Sequence, residues 1–362
     1  MKKTFSLTAL LALTLCSACG TTTPAPKSPT ATSADDVTST DDVVKVTTVT
    51  ADNYDRAETQ ILTEGYIQKI ANATNTDGVG VLWHIRKGSD PKDRTIPRTN
   101  YDTIYTWAIL DLTQEATLVM PDTKGRYQTA WFMTEEHYNP AVFAKPGTYT
   151  LTQEEMGSRY VVMVIRTQAN TADNADLLAA NAIQDGIRLS QEDKGTYTPE
   201  YRWNKEEVVK MRTLFQQLAK EKGATSEVMF GKKGAQTKEH HNMGTAVGWG
   251  GFTPDQAVYP LYYPTSTDHQ TLTLKDVPTK AFWSITVYDK GGFATTDTYN
   301  INSQFAAKNA DDSVTINFGG PKDGPNYMEI FEGWNITLRI YLPEPAYFDE
   351  GWTKPELVSV KK

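Results

Sequence analysis

Short runs of β-branched and aromatic residues, each cut off by Gly, Pro, Asp or Asn, fill two separate blocks of this 362-residue chain, and that texture constrains the fold most. In the first block the runs are 78–86 (GVGVLWHIR), 103–112 (TIYTWAILDL), 116–120, 126–134 (RYQTAWFMT) and 159–167 (RYVVMVIRT). In the second they are 270–274, 281–288, 313–318 and 335–342. Each has the length and residue types of a strand, and 121–125 (PDTKG) has the composition of a hairpin connection. The last run, NITLRIYL, alternates Ile336, Leu338, Ile340 and Leu342 with Thr337, Arg339 and Tyr341, the period of a half-buried strand. Many short strands joined by short turns predict antiparallel sheets.

Three stretches have helical spacing instead. In 51–72, Glu58, Leu62, Tyr66 and Ile70 recur every four residues beside Tyr54, Ala57 and Ile61, giving one apolar face. The other two, 173–189 and 204–222, separate the β blocks. In the latter, Asn204 and Glu207 have capping-box spacing, Val208, Met211, Phe215 and Leu218 form an apolar stripe, and Lys222-Gly223 is a stop signal. The expected fold is mainly β: two antiparallel β-sandwich or barrel-like domains joined by a helical segment, with an N-terminal helix. The predicted divisions are an export signal (1–18), a flexible tether (19–50), an N-terminal β domain with its leading helix (51–172), a helical connection (173–235) and a C-terminal β domain (236–362).

The chain begins with Met1-Lys2-Lys3, then an apolar run to Cys16 and the small residues Ser17-Ala18-Cys19-Gly20. This is the three-part layout of an export signal, and its apolar run falls short of the roughly 20 residues a membrane-spanning helix needs. The segment after it, rich in Thr, Ser, Pro, Ala and Asp, lacks the apolar content to pack. Both cysteines of the chain are Cys16 and Cys19, so the body beyond them has no thiol catalyst, disulfide or cysteine metal site. A formal net charge of −8 and a pI near 5.3 exclude the basic footprint of a nucleic-acid binder.

Candidate chemistry concentrates in a few places. Asn100 and Asp102, two apart on an extended segment, share a face and with Tyr105 could hold a hydroxylated ligand; the same residues also suit a turn cap. His137, in the sequence Glu135-Glu136-His137, could act as a general base oriented by Glu135. Trp283 and Tyr288 are an aromatic pair of the kind that lines concave ligand sites. His240 and His241 are adjacent, which is the wrong spacing for chelation from one helix face, so no metal and no cofactor is expected. There is no G-x-S-x-G elbow, H-E-x-x-H helix or phosphate loop, and the Gly-rich stretch 244–251 reads as a turn or interdomain loop.

Two ordered motif sets bear a resemblance to known families. Arg98-Thr99-Asn100-Tyr101-Asp102-Thr103-Ile104-Tyr105, with Trp107 and Gly125-Arg126-Tyr127 after it, resembles domain of unknown function 1254, whose hallmark is R-P-N-x-D-T-x-Y. Phe282-Trp283-Ser284-Ile285-Thr286-Val287-Tyr288-Asp289, Tyr299-Asn300-Ile301 and Arg339-Ile340-Tyr341-Leu342-Pro343 resemble its companion, domain of unknown function 1214. The Ser17-Ala18-Cys19-Gly20 stretch is similar to the bacterial lipoprotein box, in which the cysteine becomes the lipid-bearing N-terminus. The resemblance implies an all-β pair of domains in an envelope or exported protein and no established reaction. Thr99 replaces the family's proline, and Gln256 and Thr298 stand where a carboxylate and a cation are usual.

Three functional expectations follow. The first is an extracytoplasmic protein, tethered to the cell-envelope membrane through lipid on Cys19, that binds a small polar or sugar-like molecule (a glycan among them) through Asn100, Asp102, Tyr105, Trp283 and Tyr288. With Gly20 and not Asp after Cys19, the expected destination is the outer membrane in a two-membrane host. The second is an envelope hydrolase in which Asp102 or the Glu135/His137 pair activates water. The third is a structural or partner-binding envelope component. For the tether, cells grown with a fatty-acid analogue should label the wild-type protein and not Cys19→Ser; equal incorporation into both would refute lipidation at Cys19.

Overall fold

The computed structural model describes residues 46–94 and 98–361. The export signal, Cys16, Cys19 and most of the predicted tether lie outside the described residues. The described residues belong to one compact unit. Among the described residues the chain forms nineteen strands and six α-helices, and no helix is long and apolar enough to cross a membrane.

The first block builds two sheets. A five-stranded sheet runs in the order Trp83–His84, Thr103–Asp111, Tyr160–Gln168, Gln128–Thr134 and Val142–Phe143, all pairs antiparallel. A three-stranded sheet places Ala116–Met120 between Gly147–Leu151 and Arg188–Gln191. Strand alternation sends Ala108, Leu110, Ala130, Phe132, Met163 and Ile165 to one face of the larger sheet, where they share an apolar cluster with Leu118, Met120 and Leu151 of the smaller.

The second block repeats the plan. Ala257–Val258, Asn335–Pro343, Thr279–Tyr288 and Asn300–Asn302 form one sheet, with Leu261–Tyr262 also paired to Asn335–Pro343; Tyr327–Met328, Val314–Phe318, Gln270–Leu274 and Val358–Ser359 form the other. Trp283, Ile285, Val287, Ile336, Leu338 and Ile340 pack against Leu272, Leu274, Val314, Ile316 and Phe318. All four sheets are open, so neither half is a closed barrel.

Several local expectations change in the structure. The 121–125 segment is no hairpin turn: Ala116–Met120 and Gln128–Thr134 belong to different sheets, and the segment crosses between them. Within 78–86 only Trp83–His84 pairs, because Gly78 and Gly80 adopt φ of +86° and +63°, outside the strand region. The helix predicted to 189 stops at Gln184, and Arg188–Gln191 adds a strand to the first block. The chain is already ordered at Val46–Thr47, which pairs in parallel with Arg202–Trp203, so the structured body starts before Thr50. The capping box is half formed: the Asn204 side chain accepts from the Glu206 and Glu207 amides, but the Glu207 carboxylate accepts from Val49 N (2.8 Å). The Gly-rich stretch is in part helical, since the helix Lys238–Val247 runs into it.

The largest departure concerns Asn335–Pro343. Thr337, Arg339 and Tyr341 are 2%, 3% and 0% exposed, so the strand is buried on both faces. Its polar face lies against the first block. The second face of the Thr103–Asp111 sheet, carrying Ile109, Trp131, Val162 and Val164, packs with Ile67 and Ile70 of the N-terminal helix Tyr54–Thr74 and with Phe252, Phe282 and Tyr341 of the second block.

Phe132 is fully buried, whereas Leu178 is 60% exposed. Phe132→Ala should therefore cost about 3–5 kcal/mol of stability, and Leu178→Ala roughly 0.5 kcal/mol or less. Urea denaturation of the two variants checks the difference.

Candidate functional site

The predicted site residues separate into four places. Asn100 and Asp102 sit where the first block meets the polar face of Thr279–Tyr288 and Asn335–Pro343. The Asp102 carboxylate is fully buried and accepts from Ser284 Oγ (2.5 Å), Asn300 Nδ2 (2.9 Å) and Tyr341 Oη (3.1 Å). Asn100 Oδ1 accepts from Asp102 N (2.7 Å), and Asn100 Nδ2 donates to Tyr341 Oη (2.8 Å). Beside them Arg339 donates to Thr286 Oγ1 (2.9 Å), the Arg98 carbonyl (2.9 Å) and Tyr288 Oη (2.6 Å), and Tyr288 Oη donates to the Thr99 carbonyl (2.7 Å). Burial pulls the Arg339 guanidinium down, but Tyr288, Tyr341 and Asp102 outweigh it, and the group is held charged. The chemistry of this cluster is therefore that of a clasp between the halves, with its donors and acceptors spent on one another. Trp283 lies on the opposite face of its strand from Ser284 and packs in the second core.

His137 is buried with a positive φ of +67° in the connection after Gln128–Thr134. Its Nε2 accepts from Gly250 N (2.9 Å), so the neutral ring carries its proton on Nδ1, which donates to Thr245 Oγ1 (3.1 Å). Thr245 Oγ1 in turn donates to the His241 carbonyl (3.0 Å). Glu135 does not orient this ring: its carboxylate accepts from Gln60 Nε2 (2.7 Å), and burial pushes its pKa up. His241 Nε2 donates to the Glu136 carbonyl (2.6 Å) and lies 3.3 Å from Asp55 Oδ2. The structure thus corrects the expected Glu135/His137 pair, because both His137 nitrogens are already engaged.

Tyr105 belongs to a third cluster that the motifs did not single out. It faces Arg166 across the register of Thr103–Asp111 and Tyr160–Gln168. The Arg166 guanidinium lies 3.6 Å from the Phe252 ring centroid and 5.7 Å from that of Tyr105. Tyr105, Tyr259, Tyr127 and Tyr341 act on its charge, and among the described residues no carboxylate forms an ion pair with it. Nε is buried without a partner, Nη1 makes no hydrogen bond, and Nη2 reaches the Gly250 carbonyl only at 3.4 Å. An unmet buried donor costs about 1–3 kcal/mol, more when charged. Arg166 still keeps accessible surface in this deep position, as do Tyr66, Tyr105, Trp107, Trp249 and Tyr259. Tyr66 stacks on Trp107 (4.1 Å) and Trp249 (5.6 Å). The sequence signal for this site was a cation at a core-facing register position, third in line after Val162 and Val164.

With that geometry in hand, the comparisons with known proteins fall into place. Residues 79–191 match the model for "Protein of unknown function (DUF1254)" and residues 263–345 that for "Protein of unknown function (DUF1214)". The chain carries a DUF1254 module in its first half and a DUF1214 module in its second. The clasp joins the two modules: Asn100 and Asp102 come from DUF1254, and Ser284, Asn300, Arg339 and Tyr341 from DUF1214. The VPA0106 protein from Vibrio parahaemolyticus shares the fold, with a TM-score of 0.61 at 17% identity over 86% of this chain and 98% of its own. An uncharacterized protein from Burkholderia cenocepacia gives a TM-score of 0.49 at 11% identity over 85% and 88% of the two chains. A search of curated proteins gives no match.

Burial pushes the His137 pKa down to about 3 from an ordinary 6.5. Between those values the unfolded chain takes up a proton that the folded chain refuses, so stability is full above pH 6.5 and falls as pH drops toward 3. The slope from this one group is about 1.4 kcal/mol per pH unit at most. Urea midpoints at pH 7.5, 6, 5 and 4 (about one step apart) should decline for the wild type and decline less for His137→Gln.

Proposed function

We propose that this protein is a lipid-tethered extracytoplasmic binding protein that holds a small polar or sugar-like ring compound against the aromatic cluster of Tyr66, Tyr105, Trp107, Trp249 and Tyr259. The single observation that carries this reading is Arg166: a partly buried cation whose Nε is buried without a partner, beside stacked aromatic rings that keep accessible surface. Ligand sites combine apolar walls with a few convergent polar groups, and flat rings stack on aromatic faces. Of the residues picked from sequence, Tyr105 lies in this cluster, while Asn100, Asp102 and Tyr288 lie in the clasp and Trp283 in the core. In this reading the clasp fixes the two modules, each a pair of stacked sheets in a β-sandwich, and the cluster between them does the binding. Binding is favoured over hydrolysis because Asp102 is enclosed by its three donors and both His137 nitrogens are engaged. The envelope location rests on the sequence of the first 20 residues.

Tryptophan fluorescence and melting temperature, measured against glucose, galactose, N-acetylglucosamine and benzyl alcohol, test the reading. At least one of these should quench saturably and raise the melting temperature, with affinity about tenfold weaker in Trp107→Ala. Asp102→Asn should lower stability and leave affinity unchanged. Silence across the panel and across the acids galacturonate and benzoate, or turnover of any bound compound, would overturn it.

A further inference from the structure

The donor inventory around Arg166 identifies the ligand's charge. Resting on the binding reading above, we propose that the Arg166 guanidinium is an anion-binding element and that the ligand carries a carboxylate on a ring. Three features carry this. First, among the described residues no ion pair includes Arg166, and its polar surroundings are tyrosines and the Gly250 carbonyl. A buried cation without an anion is the arrangement that a bound anion completes. Second, the free valences are on the edge of the guanidinium. Phe252 covers one face at 3.6 Å, while Nε is unpartnered and Nη2 holds the Gly250 carbonyl only at 3.4 Å. Nε–H and Nη2–H together are the two-pronged fork that matches the two oxygens of a carboxylate. Third, the surplus nearby is of donors. Trp131 Nε1 is also buried without a partner, on a ring that packs edge-on against the same Phe252 at 6.1 Å. The hydroxyls of Tyr105 and Tyr259 make no hydrogen bond to a protein group. A ligand rich in acceptors suits this surplus.

The positions of these groups follow from the fold. Tyr105, Arg166 and Thr129 are in cross-strand register on the central three strands of the five-stranded sheet. Trp131 is two residues beyond Thr129 and therefore on the same face. Phe252 and Gly250 come from the loop after the helix Lys238–Val247, whose Gly250 amide is fixed by His137. The buried His137 thus positions the loop whose carbonyl and ring touch Arg166.

The test uses charged and neutral members of matched pairs, galacturonate against galactose and benzoate against benzyl alcohol, with binding read by calorimetry on the mature protein. The carboxylate of at least one pair should bind about tenfold or more tightly than its neutral partner, and that preference should vanish in Arg166→Gln, the two members of the pair then binding alike. A preference in the sugar pair alone names a sugar acid; in the benzyl pair alone, an aromatic acid. Equal affinity within both pairs refutes the anion site and leaves the binding reading intact, whereas no binding by any of the four refutes both. Because Arg166→Gln could fail to fold, wild-type crystals soaked in bromide give a second measurement. An anomalous peak within hydrogen-bonding distance of Arg166 Nε is expected, and its absence would refute the proposal.

Discussion

A carboxylate and a guanidinium buried together on facing modules, Asp102 and Arg339, are the constraint on which the rest of this structure depends. Taking either charge out of water costs several kcal/mol, and neither module can bury its own charge alone. Asp102 needs Ser284, Asn300 and Tyr341 from the second module, and Arg339 needs the Arg98 carbonyl of the first. The two sheets are therefore obliged to meet face to face, in one register. A shift by one residue along Asn335–Pro343 would exchange Thr337, Arg339 and Tyr341 for Ile336, Leu338 and Ile340 and place the cation in the second core.

The same interface holds a second arginine with the opposite character. Arg339 makes hydrogen bonds to a hydroxyl, a carbonyl and a phenol, while Arg166, one sheet away, has an aromatic ring on its face and little on its edge. The contrast between a satisfied and an unsatisfied cation under one roof is what separates the structural part of the interface from the part available to a ligand. Hydrogen-bond satisfaction, more than motif density, is the useful guide: the densest motif, 98–105, turned out to supply the clasp.

Much of the fold was legible because alternation and spacing are local. The long strands, the N-terminal helix and the helix Lys205–Lys222 with its Gly223 cap at φ +61° follow from patterns a few residues long. Which strands pair was not legible: 121–125 looks like a hairpin turn, yet its flanking strands join different sheets, a choice made by distant core residues. The burial of Thr337, Arg339 and Tyr341 was hidden for the same reason, since polar residues alternating with apolar ones look like a wet face unless the partner is known. Of the site, Tyr105 was visible in its motif, but Arg166 sits in a run of Val, Met and Ile where one cation attracts no notice. Glu135 and His137 show the reverse failure, in that adjacency in sequence on a sharp connection sends the side chains to different partners.

The parallel pairing of Val46–Thr47 with Arg202–Trp203 sets how the body would respond to being pulled from its N-terminal side. Tension on the chain ahead of Val46 reaches this two-residue ladder first, then the Val49 amide held by Glu207 at the start of the helix Lys205–Lys222. Both attachments end on the segment between the two modules, outside the sheets. Force entering there is spread into a helix and spared the clasp, so the sheets can stay locked while the leading strand peels. The two-residue strand is thus the first contact such a load meets, ahead of either module.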